Sequence, residues 1–253
     1  MKRADIPLVS IITPSYNSKS FFKETFDSVI SQTFNNWEWI IVDDCSIDDS
    51  LDFIKKMCSS DERIKVFSTN QNSGAAVTRN VGISKASGRY ICFLDSDDLW
   101  KEDKLEKQLE YIQNNEVVFC YTDYDVRFLN GKTKKFSPKS ESINYKKLLK
   151  KCDIGCLTVM YDSLKLGKVY MNTNAPKRED YATWLELARK GTKMFHLKLN
   201  LAIYRINNNG VSFNKFKLLK YHWHVYRKCE HLNLLKSLFY LLCFSFHKIF
   251  VKY

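Results

Sequence analysis

"YICFLDSDDLW", residues 90–100, decides the fold. Five apolar residues, Tyr90 through Leu94, run directly into Asp95, Asp97 and Asp98. A short apolar run of this kind reads as a buried strand, and strands buried on both faces belong to parallel sheets. Carboxylates crowded at a strand's end repel one another and are costly to desolvate. Either water balances them, at a plain acidic turn, or something positive sits there.

The stretches before it repeat the pattern. "PLVSIITPSYN" (7–17) is a β-branched run ending in a Pro/Ser/Asn turn. Residues 20–33 place Phe22, Phe26, Val29 and Ile30 at helical spacing. "WEWIIVDDCSIDDS" (37–50) is a strand that stops at an acidic turn, and 48–59 read as helix. "RIKVFSTN" (63–70) is a third strand, and "NSGAAVTRNVGISKASG" (72–88) is a Gly-marked turn followed by a helix. Strands alternating with helices predict βαβ units and a mostly parallel, Rossmann-like twisted sheet flanked by helices. Ligands bind such sheets beyond the carboxyl ends of the strands. The polar turns at 14–17, 43–46 and 95–98 all fall there.

After residue 100 the pattern loosens. Residues 101–114 read as an amphipathic helix and "VVFCYTDYDVRFL" (117–129) as a strand. Residues 131–151 hold eight lysines and one acid and read as a solvated loop. "REDYATWLELARKG" (178–191) is a helix with acids in its first turn and a Gly stop. "NLAIYRINNNGVS" (200–212) is a strand and an Asn/Gly turn.

Charge divides the 253 residues unevenly. Residues 1–100 carry 11 basic and 14 acidic side chains, and 101–253 carry 29 and 14. The basic part calls for phosphates, of nucleic acid or of an anionic membrane. Hydrophobic residues, at 45%, are enough for a core and weigh against wholesale disorder. The eight cysteines form no CxxC pair and read as free thiols in a reducing compartment. Met1 to Asp5 runs straight into a strand, which reads as no secretory signal. No stretch reaches a membrane-spanning length of ~18 uninterrupted apolar residues.

Five segments in order, "SIITPSYN", "SVISQTFNNWEWIIVDDCSIDDS", "NSGAAVTRNVGISKASGRYICFLDSDDLW", "REDYATWLELARKG" and "YRINNNGVS", resemble family 2 glycosyltransferases. The resemblance covers roughly residues 7–212 and is nearest to bacterial enzymes of capsule, O-antigen and teichuronic-type polymers. It implies the GT-A fold and usually inverting transfer from a nucleotide sugar. The implied organisation is a glycosyltransferase domain over 1–212, its nucleotide-binding half about 1–100 and its acceptor half about 101–212. A basic, aromatic-rich helical tail follows over 213–253.

By the same resemblance, Asp95-Ser96-Asp97 is the DxD motif. Asp97 coordinates a divalent metal, Mn²⁺ or Mg²⁺, with Asp95 near the metal or the ribose. The chemistry agrees, because a diphosphate held beside carboxylates needs a cation between them. Asp98 stands apart as a cap for a helix opening at Leu99. Pro14, Tyr16, Asp44, Arg79, Asp95 and Ser96 are implied to line the donor nucleotide site. A carboxylate at Asp44 suits the imide N–H of uracil, and its alternative is capping the next turn, the place given to Asp43. Arg79 reads as a base or phosphate contact, or else as a surface arginine on its helix. Asp180 is implied to be the general base, with Glu179 positioning the acceptor; helix-dipole charge alone is the alternative. Trp184 either stacks on an acceptor sugar or belongs to the core. Where relatives often carry a histidine, this chain has Asn207, with Gly210 and Ser212 beyond it. Arg205 and Asn207 are diphosphate candidates, and a structural salt bridge is the other reading of Arg205.

"LNLLKSLFYLLCFSFHKIFV" (232–251), flanked by Lys215, Lys217, Lys220, Arg227 and Lys228, suits an interfacial helix on an anionic membrane. The other reading packs it on its own domain. Together these features predict hexose transfer from a UDP-sugar to a polyprenyl-diphosphate-linked acceptor, at the cytoplasmic face of the cell membrane. Two rivals compete. A nucleic-acid-binding protein leaves the clustered carboxylates unexplained. A sugar-nucleotide pyrophosphorylase needs a Gly-rich phosphate loop that "TPSYNS" does not supply.

Overall fold

A computed structural model describes residues 6–207 and 215–250, with backbone alone for 215–217 and 247–250. Gly210, Ser212, the expected 212/213 boundary and the side chains of Lys215, Lys217, His247 and Lys248 lie outside the described residues.

The first half follows the sequence pattern closely. Strands β1 (Val9–Ser15), β2 (Trp37–Asp43), β3 (Ile64–Ser68) and β4 (Tyr90–Phe93) pair in parallel, in the order β3-β2-β1-β4. The helices between them are α1 (Lys19–Ile30), α2 (Ser50–Cys58) and α3 (Ala75–Lys85). Alternate residues of each strand feed two cores. Val9, Ile11, Trp39 and Ile41 face α1, α2 and α4 (Lys104–Asn114), while Ile12, Ile40, Val42 and Phe93 face α3. Close packing of α3 on β1 requires Gly82, since a Cβ there would lie 2.7 Å from Ile12.

The second half adds antiparallel strands to this parallel sheet. The sheet continues without a break through β9 (Met160–Asp162), β6 (Phe119–Arg127), β10 (Met194–Arg205) and β5 (Leu99–Trp100). Here β9 runs antiparallel to β4 and β6, β5 runs antiparallel to β10, and only β6 and β10 are parallel. Antiparallel strands need no helical crossover, so the βαβ rhythm is lost from the sequence. The two halves thus share one mixed sheet.

The lysine-rich stretch 131–151 is not a loop. It forms β7 (Thr133–Phe136), β8 (Ser142–Ile143) and α5 (Tyr145–Lys150), anchored by buried Leu148 and Leu149. Beyond it lie the single-turn helix α6 (Ser163–Leu166) and α7 (Glu179–Arg189). The tail folds as α8 (Lys215–His224), a π-helical turn over 225–229, and α9 (Leu234–Phe250). It packs on the domain, as the second reading of that segment held. Val225 and Tyr226 are fully buried in the α3-side core, and the Tyr226 hydroxyl donates to Leu149 O (2.8 Å).

Candidate active site

The turns at the carboxyl ends of β1 and β2 are laced together. Asp43 accepts Ser46 N (2.8 Å) and Ser46 Oγ (2.5 Å), closing the turn after β2. Asn17, in the left-handed region at φ 48°, accepts Ile47 N and donates its own N–H to Ser46 Oγ. Pro14 is buried inside β1, opposite Val42, and Tyr16 stands 44% exposed at the strand's end. Asp44 is buried. Its Oδ1 accepts Ser73 N (2.9 Å) and Thr69 Oγ1 (3.1 Å), and its Oδ2 accepts Gly74 N (2.7 Å). It therefore ties β2 to the loop that opens α3, where Gly74 holds φ at 83°.

The acidic turn after β4 divides into two sorts of carboxylate. Asp98 caps no helix, because Leu99 begins a strand. Its Oδ1 accepts Arg205 N (2.9 Å) at the end of β10, and its carbonyl accepts Thr25 Oγ1 (2.9 Å) from α1. Burial, with Asp97 and Asp95 nearby, pushes its carboxyl well above the usual carboxylate range. Ser96 is buried and its carbonyl also accepts Thr25 Oγ1 (3.0 Å). Asp95 and Asp97 remain partly open. Burial and the neighbouring Asp95 push the Asp97 carboxyl up to about 6.

Arg79 is not a surface residue. Its side chain is 6% exposed, with Nη2 donating to Asp95 Oδ1 (2.6 Å) and Nη1 to Glu179 Oε1 (3.0 Å). Burial works against the cation, and Asp95 and Glu179 outweigh it, so Arg79 stays charged. This guanidinium joins the end of β4 to the first turn of α7. Asp180 follows Glu179 there, its Oδ1 accepting the N–H of Tyr181 (2.7 Å). Burial, then Glu179, raises the Asp180 carboxyl, opposed by Arg178 and Arg79. Cys156, in a 3₁₀ turn over 156–158, lies among Arg79, Asp95, Asp180 and Glu179, and burial pushes its thiol well up. Sequence reasoning missed it; the glycine before it, Gly155, is the one local cue.

Two expected ligand contacts take other positions. Trp184 is fully buried and packs edge-on against Phe119 with centroids 5.0 Å apart, so it is core and stacks on no sugar. Arg205 turns into the protein. It donates to Phe21 O (3.0 Å), Thr25 Oγ1 (3.0 Å) and Asp97 O, and pairs with Glu24 (3.0 Å), which is the structural reading rather than a diphosphate contact. Asn207 Nδ2 donates to Asp97 Oδ2 (2.5 Å), leaving its buried Oδ1 without a partner among the described residues.

No group of three or more His, Cys, Asp or Glu side chains converges for a metal among the described residues. The nearest donor set is Asp97, Asp95 and the amide oxygen of Asn207. It contains oxygen alone, and its two carboxylates repel, which fits a hard divalent cation better than zinc.

Comparison with known proteins gives the family of the chain. The model described as "Glycosyl transferase family 2" matches residues 10–173. TuaG of Bacillus subtilis, named as a teichuronic acid biosynthesis glycosyltransferase, is 46% identical over 91% of this chain and 92% of its own. WfgD of Escherichia coli, named a UDP-Glc:α-D-GlcNAc-diphosphoundecaprenol β-1,3-glucosyltransferase, is 38% identical over 93% of this chain and 91% of its own. Among solved structures, TarS 1–349 of S. aureus with UDP-GlcNAc superposes at TM-score 0.69, covering 92% of this chain and 70% of that one at 20% identity. A mannosyltransferase of Pyrobaculum calidifontis, solved with GDP-Man and Mn²⁺, superposes at 0.68, covering 94% and 68% at 14% identity. At those identities the structures speak for the fold, which is the mixed α/β sheet described above.

Proposed function

The chain belongs to glycosyltransferase family 2, and from that premise we propose that it moves a hexose, with inversion, from a UDP-sugar to a lipid-linked oligosaccharide during cell-surface polysaccharide synthesis. The observation that carries this reading is Arg79, which binds Asp95 of the donor-side motif and Glu179 beside the candidate base. A nucleic-acid-binding protein leaves that convergence of acids unexplained.

In this reading the nucleoside lies over the ends of β1 and β2, between Tyr16 and Asp44. A carboxylate offers about four acceptor sites, so Asp44 keeps capacity for an imide N–H beyond its three protein donors. Asp97, Asp95 and Asn207 Oδ1 would hold Mg²⁺ or Mn²⁺, which as a Lewis acid supports departure of the diphosphate. Asp180 takes the proton of the acceptor hydroxyl while that oxygen attacks the anomeric carbon opposite the diphosphate. One C–O bond forms, one breaks, and the proton rests on Asp180. A carboxylate desolvated this way is a stronger base than one in water. Glu179, fixed by Arg79, keeps its neighbour in place.

The lipid-linked acceptor follows the named activity of WfgD and the teichuronic context of TuaG. It would put the reaction at the cytoplasmic face of a membrane. Among the described residues no helix is long and apolar enough to cross one.

Calorimetric titration with UDP in Mn²⁺, and then in EDTA, tests the donor site. Binding that disappears in EDTA and in Asp97→Ala supports it. Equal binding in both conditions would remove the metal, and no binding in either would remove UDP and turn the search to GDP and dTDP.

A further inference from the structure

Helix α9 has an apolar face on both sides. Its inner side meets the domain through buried Ser237 and Phe244, with Tyr240 and Leu241 against the core. Its outer side should then be polar, as on a surface helix. Instead Leu235 is 77% exposed, Leu238 44%, Phe239 52% and Leu242 69%. The spacing i, i+3, i+4, i+7 puts all four on one stripe.

Charge around the stripe has one sign. Glu230 is the only acid between residues 215 and 253, and it is buried, accepting the Tyr145 hydroxyl (2.6 Å). Exposed Lys228 and Lys236 lie before and within α9. Helix α5, which packs against α9, exposes Lys146, Lys147 and Lys150. An apolar stripe bordered by bases, on a helix whose described residues are not long and apolar enough to cross a membrane, matches the chemistry of an anionic lipid surface. A second copy would bring two basic borders together, which is unfavourable.

We propose that the outer face of α9 docks this protein on an anionic bilayer, with Leu235, Leu238, Phe239 and Leu242 entering the acyl boundary and the lysines of α5 and α9 facing lipid phosphates. The inference deepens the lipid-linked acceptor reading and rests on it for purpose. It gives the domain a fixed side toward the membrane, because the inner face of the same helix is locked to α5 and α8.

The full chain is sedimented with vesicles of phosphatidylcholine alone or with about 30% phosphatidylglycerol, at low salt and at about 0.5 M salt. Wild type is expected to partition at least about tenfold better onto the anionic vesicles, and to lose that preference in salt. Leu235→Glu with Leu242→Glu, and separately Lys146→Ser with Lys147→Ser, should each weaken partitioning about tenfold or more. UDP binding should stay unchanged in both variants, which shows them folded. Wild type that ignores anionic vesicles, or a leucine variant that binds like wild type, overturns the proposal. A dimer split by Leu242→Glu, with vesicle binding intact, also overturns it and assigns the face to a second copy. Vesicle binding without any UDP binding would break the donor reading and leave the docking face standing.

Discussion

Glu38, buried, and Asp97, partly open, are acids at opposite ends of the parallel strands of one sheet. Glu38 opens β2. Its Oε1 accepts Ser10 Oγ (2.7 Å), Ser87 N (2.7 Å) and Ser87 Oγ (2.6 Å), and its Oε2 accepts Lys65 Nζ (2.8 Å). Burial raises its pKa, yet Lys65, Ser87 and Ser10 outweigh burial and bring it down to about 2. Asp97 follows the end of β4. Among the described residues one side-chain donor, Asn207, reaches it, and burial beside Asp95 takes it up to about 6. The amino end of the sheet satisfies its acid within the protein. The carboxyl end satisfies Asp43 and Asp44 in the same way but leaves Asp97 raised, which suits the cation site proposed there.

The comparison breaks first, if it breaks, at Asp180. Asp180→Asn should lower transfer by about 10²–10⁴-fold while leaving the unfolding midpoint near wild type. Release of UDP in a transfer assay reads the first effect and a thermal melt the second; full activity would end its role as base. Arg79 holds two carboxylates of the carboxyl end together. Arg79→Met leaves Asp95 and Glu179 facing each other unneutralised and should cost about 3–5 kcal/mol in urea unfolding. A loss below ~1 kcal/mol would mean that the two carboxylates do not depend on it.

Glu38→Gln should cost up to about 3 kcal/mol at neutral pH, with transfer unchanged. Because the folded state holds Glu38 at about 2 against an ordinary 4.5, its contribution is complete above the higher value and fades as pH falls toward the lower. The gap between variant and wild type should therefore close in acid. Asp97→Asn should act in the other direction. Its carboxyl is raised from 3.8 to about 6, so ionising it costs folding free energy that grows across that range. In EDTA the variant should be more stable than wild type by about 1–2 kcal/mol at pH 7 and equal to it near the lower value. If both substitutions destabilised alike at pH 7, the contrast between the two ends would be lost.

Much of this was legible locally. The four parallel strands were readable because each is a short apolar run closed by a polar turn, and their order places those turns at one edge of a sheet. Asp95, Asp97, Glu179 and Asp180 could be named from that placement together with the family resemblance. The second half was less legible for a physical reason. Antiparallel strands such as β7 and β8 are short and joined without helices, and β7 is exposed on its lysine side, so 131–151 carries no hydrophobic period.

The sequence by itself determined that carboxylates gather at the ends of buried strands, since strand periodicity and turn chemistry act over a few residues. Only the tertiary structure decided what each polar or aromatic group does there. Arg79 meets partners 16 and 100 positions away, Arg205 turns toward α1, and Trp184 is enclosed by Phe93 and Phe119. The tail's two apolar faces are one pattern in the sequence; the domain covers one and leaves the other exposed. Such outcomes depend on which distant groups exclude water from a side chain, and burial is a property of the packed whole.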